Sequence, residues 1–208
     1  YLDSFQMIRQ EMPPPEPEQP TGHAGGENTE EIAGNLIHNS SFEAEDFAAD
    51  HTTGKWYKTP DSTAVLTRIT DYSQSGTASL KVSGRTAHWH RAQYRVWCGD
   101  MAQDTPYALS GYVSAAADTP VELIAVVWGY GGPAENPYPS VSMTLATGTA
   151  GPNGWTQLDG EFQFSSTPAA EGKVDVTVSW GNQSGVLSGV TGADCIELYI
   201  QQPADTAA

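Results

Sequence analysis

An all-β sandwich or barrel is the fold class the sequence predicts, and three observations carry it. From Asn35 onward, short β-rich runs are bounded by Gly, Pro, Asp and Asn, the punctuation of strands joined by tight turns. Several runs alternate with period two, and no segment has a convincing helical pattern. Strands are expected near 35–38, 42–47, 64–70, 78–84, 92–97, 106–114, 121–129, 141–147, 155–164, 173–180 and 194–201. Val174, Val176 and Val178 share one face and Asp175, Thr177 and Ser179 the other, while Phe162 and Phe164 oppose Glu161 and Gln163, so one face packs and the other is wet. The run VELIAVVW (121–128) is apolar on both faces and is expected to be central, between two layers or beneath a groove. No internal repeat is present.

The first 34 residues read differently. Residues 10–34 combine Pro, Glu and Gly with almost no apolar side chains, a composition that does not offset the entropy of ordering and reads as a linker. Pro13, Pro14 and Pro15 favour polyproline II. Ahead of them, Leu2, Phe5 and Ile8 are three apart and could line one stripe of a short helix, although ten residues are too few for a stable isolated one. The expected division is a leader over 1–34, outside the sandwich and suited to docking on this domain or a neighbouring chain, a sandwich over 35–201 and a tail over 202–208.

The 208 residues carry 25 acids against nine Lys and Arg, a formal charge of −16, which repels a phosphate backbone and makes nucleic acid an unsuitable partner. No stretch approaches 18 uninterrupted apolar residues, so no helical membrane span is expected. The chain starts at Tyr1 rather than Met and shows no signal peptide, so it reads as a processed product or an excised piece. Cys98 and Cys195 are far apart, with no zinc-type spacing around either. A single disulfide suits them and an oxidising compartment; two buried free thiols are the alternative. Secretion, or display at the cell surface, is the localisation this suggests.

Five segments occur in order: NLIHNSSFE (35–43), GTASLKVSGR (76–85), YALSGYV (107–113), WTQLDGEF (155–162) and DCIEL (194–198). Together they resemble the carbohydrate-binding modules of families 4, 9 and 22, whose fold is a galactose-binding-like jelly roll. The likeness spans roughly 35–201 and implies an all-β jelly-roll β-sandwich, here with an N-terminal Pro/Glu-rich extended leader. Two departures are visible: Cys195 replaces the usual acid or small residue after Asp194, which favours a chain-specific disulfide to Cys98, and the Trp that usually follows Phe-Glu closely is delayed to Trp56. Such modules commonly carry a structural Ca2+. The resemblance assigns it Glu43 and Asp194, with backbone carbonyls near Ser41 and Lys81, oxygen ligands that suit a hard cation. The plainer alternative is that Glu43 and Asp194 cap turns.

A sugar site on such a fold needs aromatic faces framed by polar groups. The resemblance places a stacking tryptophan at Trp89, within TAHWHR (86–91), where His88, His90 and Arg91 supply polar neighbours; a core tryptophan is the alternative. A Gly/Pro loop from Trp128 to Tyr138 holds Tyr130, Tyr138 and Glu135, and exposed aromatics on a shaped loop point to recognition. Trp128 can instead simply end the core strand. Asp175 and Thr177, on the wet face of their strand, are expected to floor the same groove, whereas Trp155, Phe162 and Trp180 are read as structural. No pair of carboxylates is singled out as glycoside hydrolysis requires, and no nucleophile or phosphate-loop motif occurs. The expectation is therefore a non-catalytic module that binds a polysaccharide or oligosaccharide, alone or beside a glycoside hydrolase. The competing expectation is a structural subunit of an extracellular assembly, a homo-oligomer whose N-terminal arm contacts a neighbour. A lyase on the same fold is a third, weaker reading.

Overall fold

The computed structural model describes residues 1–9, 34–48 and 54–205. Among the described residues, thirteen strands follow in chain order: β1 (Leu2–Arg9), β2 (Phe47–Ala48), β3 (Trp56–Lys58), β4 (Val65–Ile69), β5 (Ser79–Ser83), β6 (Ala92–Trp97), β7 (Tyr107–Val113), β8 (Thr119–Tyr130), β9 (Ser140–Ala150), β10 (Thr156–Pro168), β11 (Val174–Trp180), β12 (Gln183–Val190) and β13 (Gly192–Gln201). They form a seven-stranded sheet, ordered β12-β11-β10-β7-β1-β5-β4, and a six-stranded sheet, ordered β2-β3-β6-β13-β8-β9. The inner faces of the two sheets close on one core that includes Phe42, Trp56, Tyr94, Tyr107, Phe162 and Leu198, the two-layer solution for elements that are apolar on one face. Among the described residues no helix is long and apolar enough to cross a membrane.

The leader requires a correction. Its first nine residues are neither a helix nor an appendage: β1 lies inside the seven-stranded sheet, antiparallel to β7 through pairs such as Gln6 with Ser110 and Ile8 with Ala108, and to β5 through Leu2 and Leu80. The spacing of three that suggests a helical stripe has another cause. The ladder slips between Asp3 and Gln6, and Ser4 takes a positive φ of 52°, so this bulge returns Phe5 to the face occupied by Leu2. Leu2, Phe5 and Met7 are consequently all buried. The Phe5 ring meets Trp56 edge-on at 4.9 Å, and Gly111 leaves it room, since a Cβ there would stand 3.1 Å from Phe5 Cζ. Asp3 is buried beside it. Burial pushes its carboxyl up to about 6 against the pull of the Gln74 and Ser75 N–H groups and the Ser4 hydroxyl. The Pro/Glu-rich stretch 10–33 and its polyproline expectation lie outside the described residues.

The segment expected as a strand over 35–38 is instead a clasp for β1. Asn35 Oδ1 accepts from the Met7 and Ile37 N–H groups at 3.0 Å, Leu36 N–H donates to the Met7 carbonyl and Phe5 N–H to the Ser40 carbonyl. The expected strand over 42–47 shrinks to the two residues of β2. Two strands had no clear signal in the sequence: β3 is only three residues long, and β12, QSGVLSGV, is broken by glycines. Elsewhere alternation predicts burial correctly. Val176 and Val178 are buried and Phe162 and Phe164 face the core, while Glu161 and Gln163 are exposed. The start of the tail is pinned, Asp205 to Arg85 at 2.6 Å.

Candidate functional site

The six-stranded sheet has a second, outward face with its own composition. On β6, Ala92, Tyr94 and Val96 point into the core, which turns Gln93, Arg95 and Trp97 outward. On β13, Ile196, Leu198 and Ile200 join the core, leaving Cys195, Glu197, Tyr199 and Gln201 on the outer side. On β8, Leu123, Ala125 and Val127 face in, while Ile124, Val126 and Trp128 gather outside around Tyr199 as a separate apolar cluster. The long strand VELIAVVW is thus apolar on both faces, as expected, and lies between β13 and the edge strand β9.

Register aligns these side chains in rows across the sheet. One row runs Trp97, Cys195, Trp128, Ser140, and the next Arg95, Glu197, Val126, Ser142. A third pairs Tyr57 with Gln93 and, on the far side, Tyr199 with Ile124. Trp97 and Trp128 therefore flank β13 two strand spacings apart, about 10 Å, with Trp97 47% exposed and Trp128 half-buried. Trp128 Nε1 and Gln93 Oε1 are buried without a hydrogen-bond partner.

Charge sits at the centre of the face. Glu197 Oε2 accepts from Arg95 Nε at 3.1 Å and Nη2 at 3.0 Å, and from the Tyr57 hydroxyl at 3.1 Å. Burial, then the Glu197 charge, pushes the Tyr57 phenol well above its ordinary value. Arg91 lies flat on Tyr199, its guanidinium carbon 3.4 Å from the ring centroid, a cation–π arrangement. Beyond it, Gln201 Nε2 donates to Glu122 at 3.3 Å, and a cleft of ≈ 330 Å³ opens between His88, Pro120, Glu122, Gln201, Gln202 and Pro203.

Of the residues expected to bind sugar, Arg91 and Trp128 are on this face. Tyr130, Glu135 and Tyr138 stand at the end of β8 and in the loop that follows it, Tyr130 41% and Tyr138 65% exposed. That loop is held by Lys173 Nζ, which donates to the Gly131 carbonyl at 2.8 Å and to Thr191 Oγ1 at 3.1 Å. Gly131 is required there: its φ is +63° and a Cβ would stand 2.2 Å from Thr191 Oγ1. Trp89 lies in the loop before β6, where its ring meets His90 edge-on at 4.0 Å. His90 is itself buried, with Nδ1 2.9 Å from Thr63 Oγ1. Asp175 is a correction, because β11 belongs to the opposite sheet. Its carboxylate accepts from Gly189 N–H at 2.8 Å across the irregular β11–β12 ladder, so it floors no part of the outer face.

Tyr57, Gln93, Arg95, Trp97, Glu122, Glu197 and Tyr199 were not among the expected site residues. Alternation in AQYRVW and CIELYIQ was the available signal: each strand sets a polar or aromatic series against an apolar one.

Of the expected Ca2+ ligands, Glu43 is surrounded by hydrogen-bond donors. Glu43 Oε1 accepts from the Thr77 N–H at 2.7 Å and the Ala78 N–H at 3.2 Å, Oε2 accepts from Thr77 Oγ1 at 2.6 Å, and Arg68 stands 3.7 Å away. Donors and a guanidinium around a carboxylate suit the carboxylate itself and oppose a second cation. Glu43 thus ties the turn ahead of β5 to β4, Asp194 is on β13 of the other sheet, Ser41 lies in the turn before Phe42, and Lys81 is in β5. Among the described residues no three His, Cys, Asp or Glu side chains cluster as a metal group. Chelation with EDTA is expected to leave the thermal midpoint unchanged, and a rise on adding Ca2+, followed by calorimetry, would overturn this. The disulfide also needs correction, since Cys98 and Cys195 are buried free thiols. Cys195 is registered against Trp97 on the outer side, whereas Cys98 begins the turn after β6 and joins the core. Burial pushes both thiols up, Cys195 to about 11.

A family model described as a carbohydrate binding domain matches residues 34–185. No curated protein has a matching sequence. Among solved structures, the C-terminal family 22 carbohydrate binding module of Clostridium thermocellum Xyn10B is similar at 18% identity, over 74% of this chain and 80% of that one, with a TM-score of 0.46. The CBM22-2 xylan-binding domain of Paenibacillus barcinonensis Xyn10C is 14% identical over 74% and 80%, TM-score 0.47. A xylan-binding domain from CBM 22 is 17% identical over 78% and 88%, TM-score 0.46. With the family model covering most of its length, from the β1 clasp to β12, this chain belongs to the carbohydrate binding domain family.

Proposed function

We propose that the protein is a non-catalytic module of a secreted protein that holds a polysaccharide chain along the outer face of the six-stranded sheet. The observation that carries this reading is the row Trp97, Cys195, Trp128 beside the Arg95–Glu197 row. Two tryptophans carried two strand spacings apart, about 10 Å along the backbone, offer stacking surfaces for sugar rings, and the polar groups of the neighbouring row offer partners for hydroxyls. Along the strands from this row, Tyr199 and Arg91 lie toward one end of the face and the Tyr130 and Tyr138 loop toward the other. The face carboxylates support a binding rather than a hydrolytic role. Glu197 is committed to Arg95 and Tyr57, and Glu122 to Gln201, whereas hydrolysis needs one free acid and one free base across the scissile bond.

The test is affinity electrophoresis against xylan, β-glucans, cellulose, mannan and marine polysaccharides. Each stacking ring contributes on the order of 1 kcal/mol, so Trp97→Ala with Trp128→Ala is expected to weaken binding tenfold or more. Asp175→Ala, on the other sheet, is expected to change it by less than a factor of about two. Retention of full affinity by the double variant would remove the outer face as the site; binding to none of these polymers would remove the carbohydrate reading itself.

A further inference from the structure

The charges on this face single out one residue. In a chain with 25 acids and nine Lys and Arg, the other described arginine side chains have carboxylate partners: Arg68 with Glu43, Arg85 with Asp205, Arg95 with Glu197. Arg91 has none among the described residues. It is stacked at 3.4 Å on Tyr199, its Nε is buried without a hydrogen-bond partner, and Glu197, whose charge reaches it, is already occupied by Arg95 and Tyr57. Partial burial opposes its charge and holds the guanidinium below its ordinary value, with Tyr199, Glu197 and Tyr57 pulling the other way.

We infer that Arg91 is a receptor for an anionic substituent of the bound sugar, a carboxylate or a sulfate ester. This rests on the carbohydrate reading above and narrows it to acidic glycans. Stacking on Tyr199 fixes the plane of the guanidinium, so its donors are preset for an oxyanion lying in that plane, the geometry in which arginine outperforms lysine. A desolvated cation without a counter-charge is costly to keep, and an arriving anion supplies that charge without displacing an internal partner. The overall charge of −16 repels an acidic polymer at long range, but added salt screens that repulsion more than it weakens a contact inside the groove.

Matched pairs of polymers test this with the whole chain. Glucuronoxylan and alginate are compared with the same polymers after carbodiimide-assisted reduction of their carboxyl groups to primary alcohols, and a sulfated galactan with its desulfated form. The expected result is at least tenfold tighter binding to the charged member of a pair, in the uronate arm for a carboxylate receptor or in the galactan arm for a sulfate receptor. Arg91→Gln should bring that ratio close to one, and Arg91→Lys should leave it in between. Equal binding to both members of every pair by the unmodified protein, a comparison that needs no variant, would overturn the inference, as would Arg91→Gln weakening charged and neutral members by the same factor. Binding to no polymer of either kind would overturn the carbohydrate reading and this inference together.

Discussion

Phe5→Ala is expected to cost about 3–5 kcal/mol of folding stability, the range for truncating a fully buried aromatic. Phe5 is 0% exposed, meets Trp56 at 4.9 Å and fills the space that Gly111 leaves open. Trp56 in turn touches Phe42 and Tyr94 at 5.0 and 5.3 Å, so the cavity would open in the middle of an aromatic cluster instead of collapsing at an edge. Gln6→Ala, on the same strand but half-buried, is expected to stay within about 0.5 kcal/mol. Urea unfolding of the whole chain followed by tryptophan fluorescence measures both. A Phe5→Ala midpoint equal to that of the unmodified protein would show that β1 contributes nothing to the sheet. The experiment therefore decides whether the leader's first nine residues are structure or ornament.

The second large effect is expected at Glu197. Its carboxylate is 6% exposed and Arg95 is 21% exposed, so Glu197→Ala removes the counter-charge from a guanidinium that retains only partial access to water. The expected loss is about 3 kcal/mol, at the low end for breaking a buried pair because Arg95 can relax toward solvent. Glu197→Gln, which keeps an acceptor for the Tyr57 hydroxyl and Arg95, should lose less. Combining Glu197→Ala with Arg95→Met should recover part of the loss, since the orphaned charge is then gone. Thermal unfolding of the unmodified protein, Glu197→Ala, Arg95→Met and the double variant supplies the cycle. Additivity of the two single losses would mean that the pair does not act as a unit. The same Glu197→Ala variant should also weaken sugar binding, because Arg95 and Tyr57 lose the group that orients them.

Much of the sandwich was legible because its strands alternate. Val174 to Val178 and Phe162 to Phe164 each set an apolar series against a polar one, and period two admits no other regular structure for them. The motif series carried the family: the family model matches residues 34–185, which hold the four segments from NLIHNSSFE to WTQLDGEF, while DCIEL lies beyond its end. β1 was not legible for a definite reason. A bulge at Ser4 converts spacing of two into spacing of three, and the strand's partners, β7 and β5, lie about 75–110 residues away, so no local pattern announces them.

The candidate site divides in the same way. Trp128, Tyr130 and Tyr138 stand out in the sequence as aromatic residues beside Gly and Pro, and Arg91 as a cation beside two histidines and a tryptophan. Tyr57, Arg95, Trp97, Glu197 and Tyr199 come from three strands spread over some 140 positions, and each looks locally like any outward residue of a half-buried strand. By itself the sequence determined the class of structure, two-faced strands around one core, and the family, because hydrophobic alternation and turn chemistry are local properties. Which outward residues meet across β3, β6, β13 and β8 was decided only by tertiary structure, because strand order and register are set by long-range pairing that no single segment encodes.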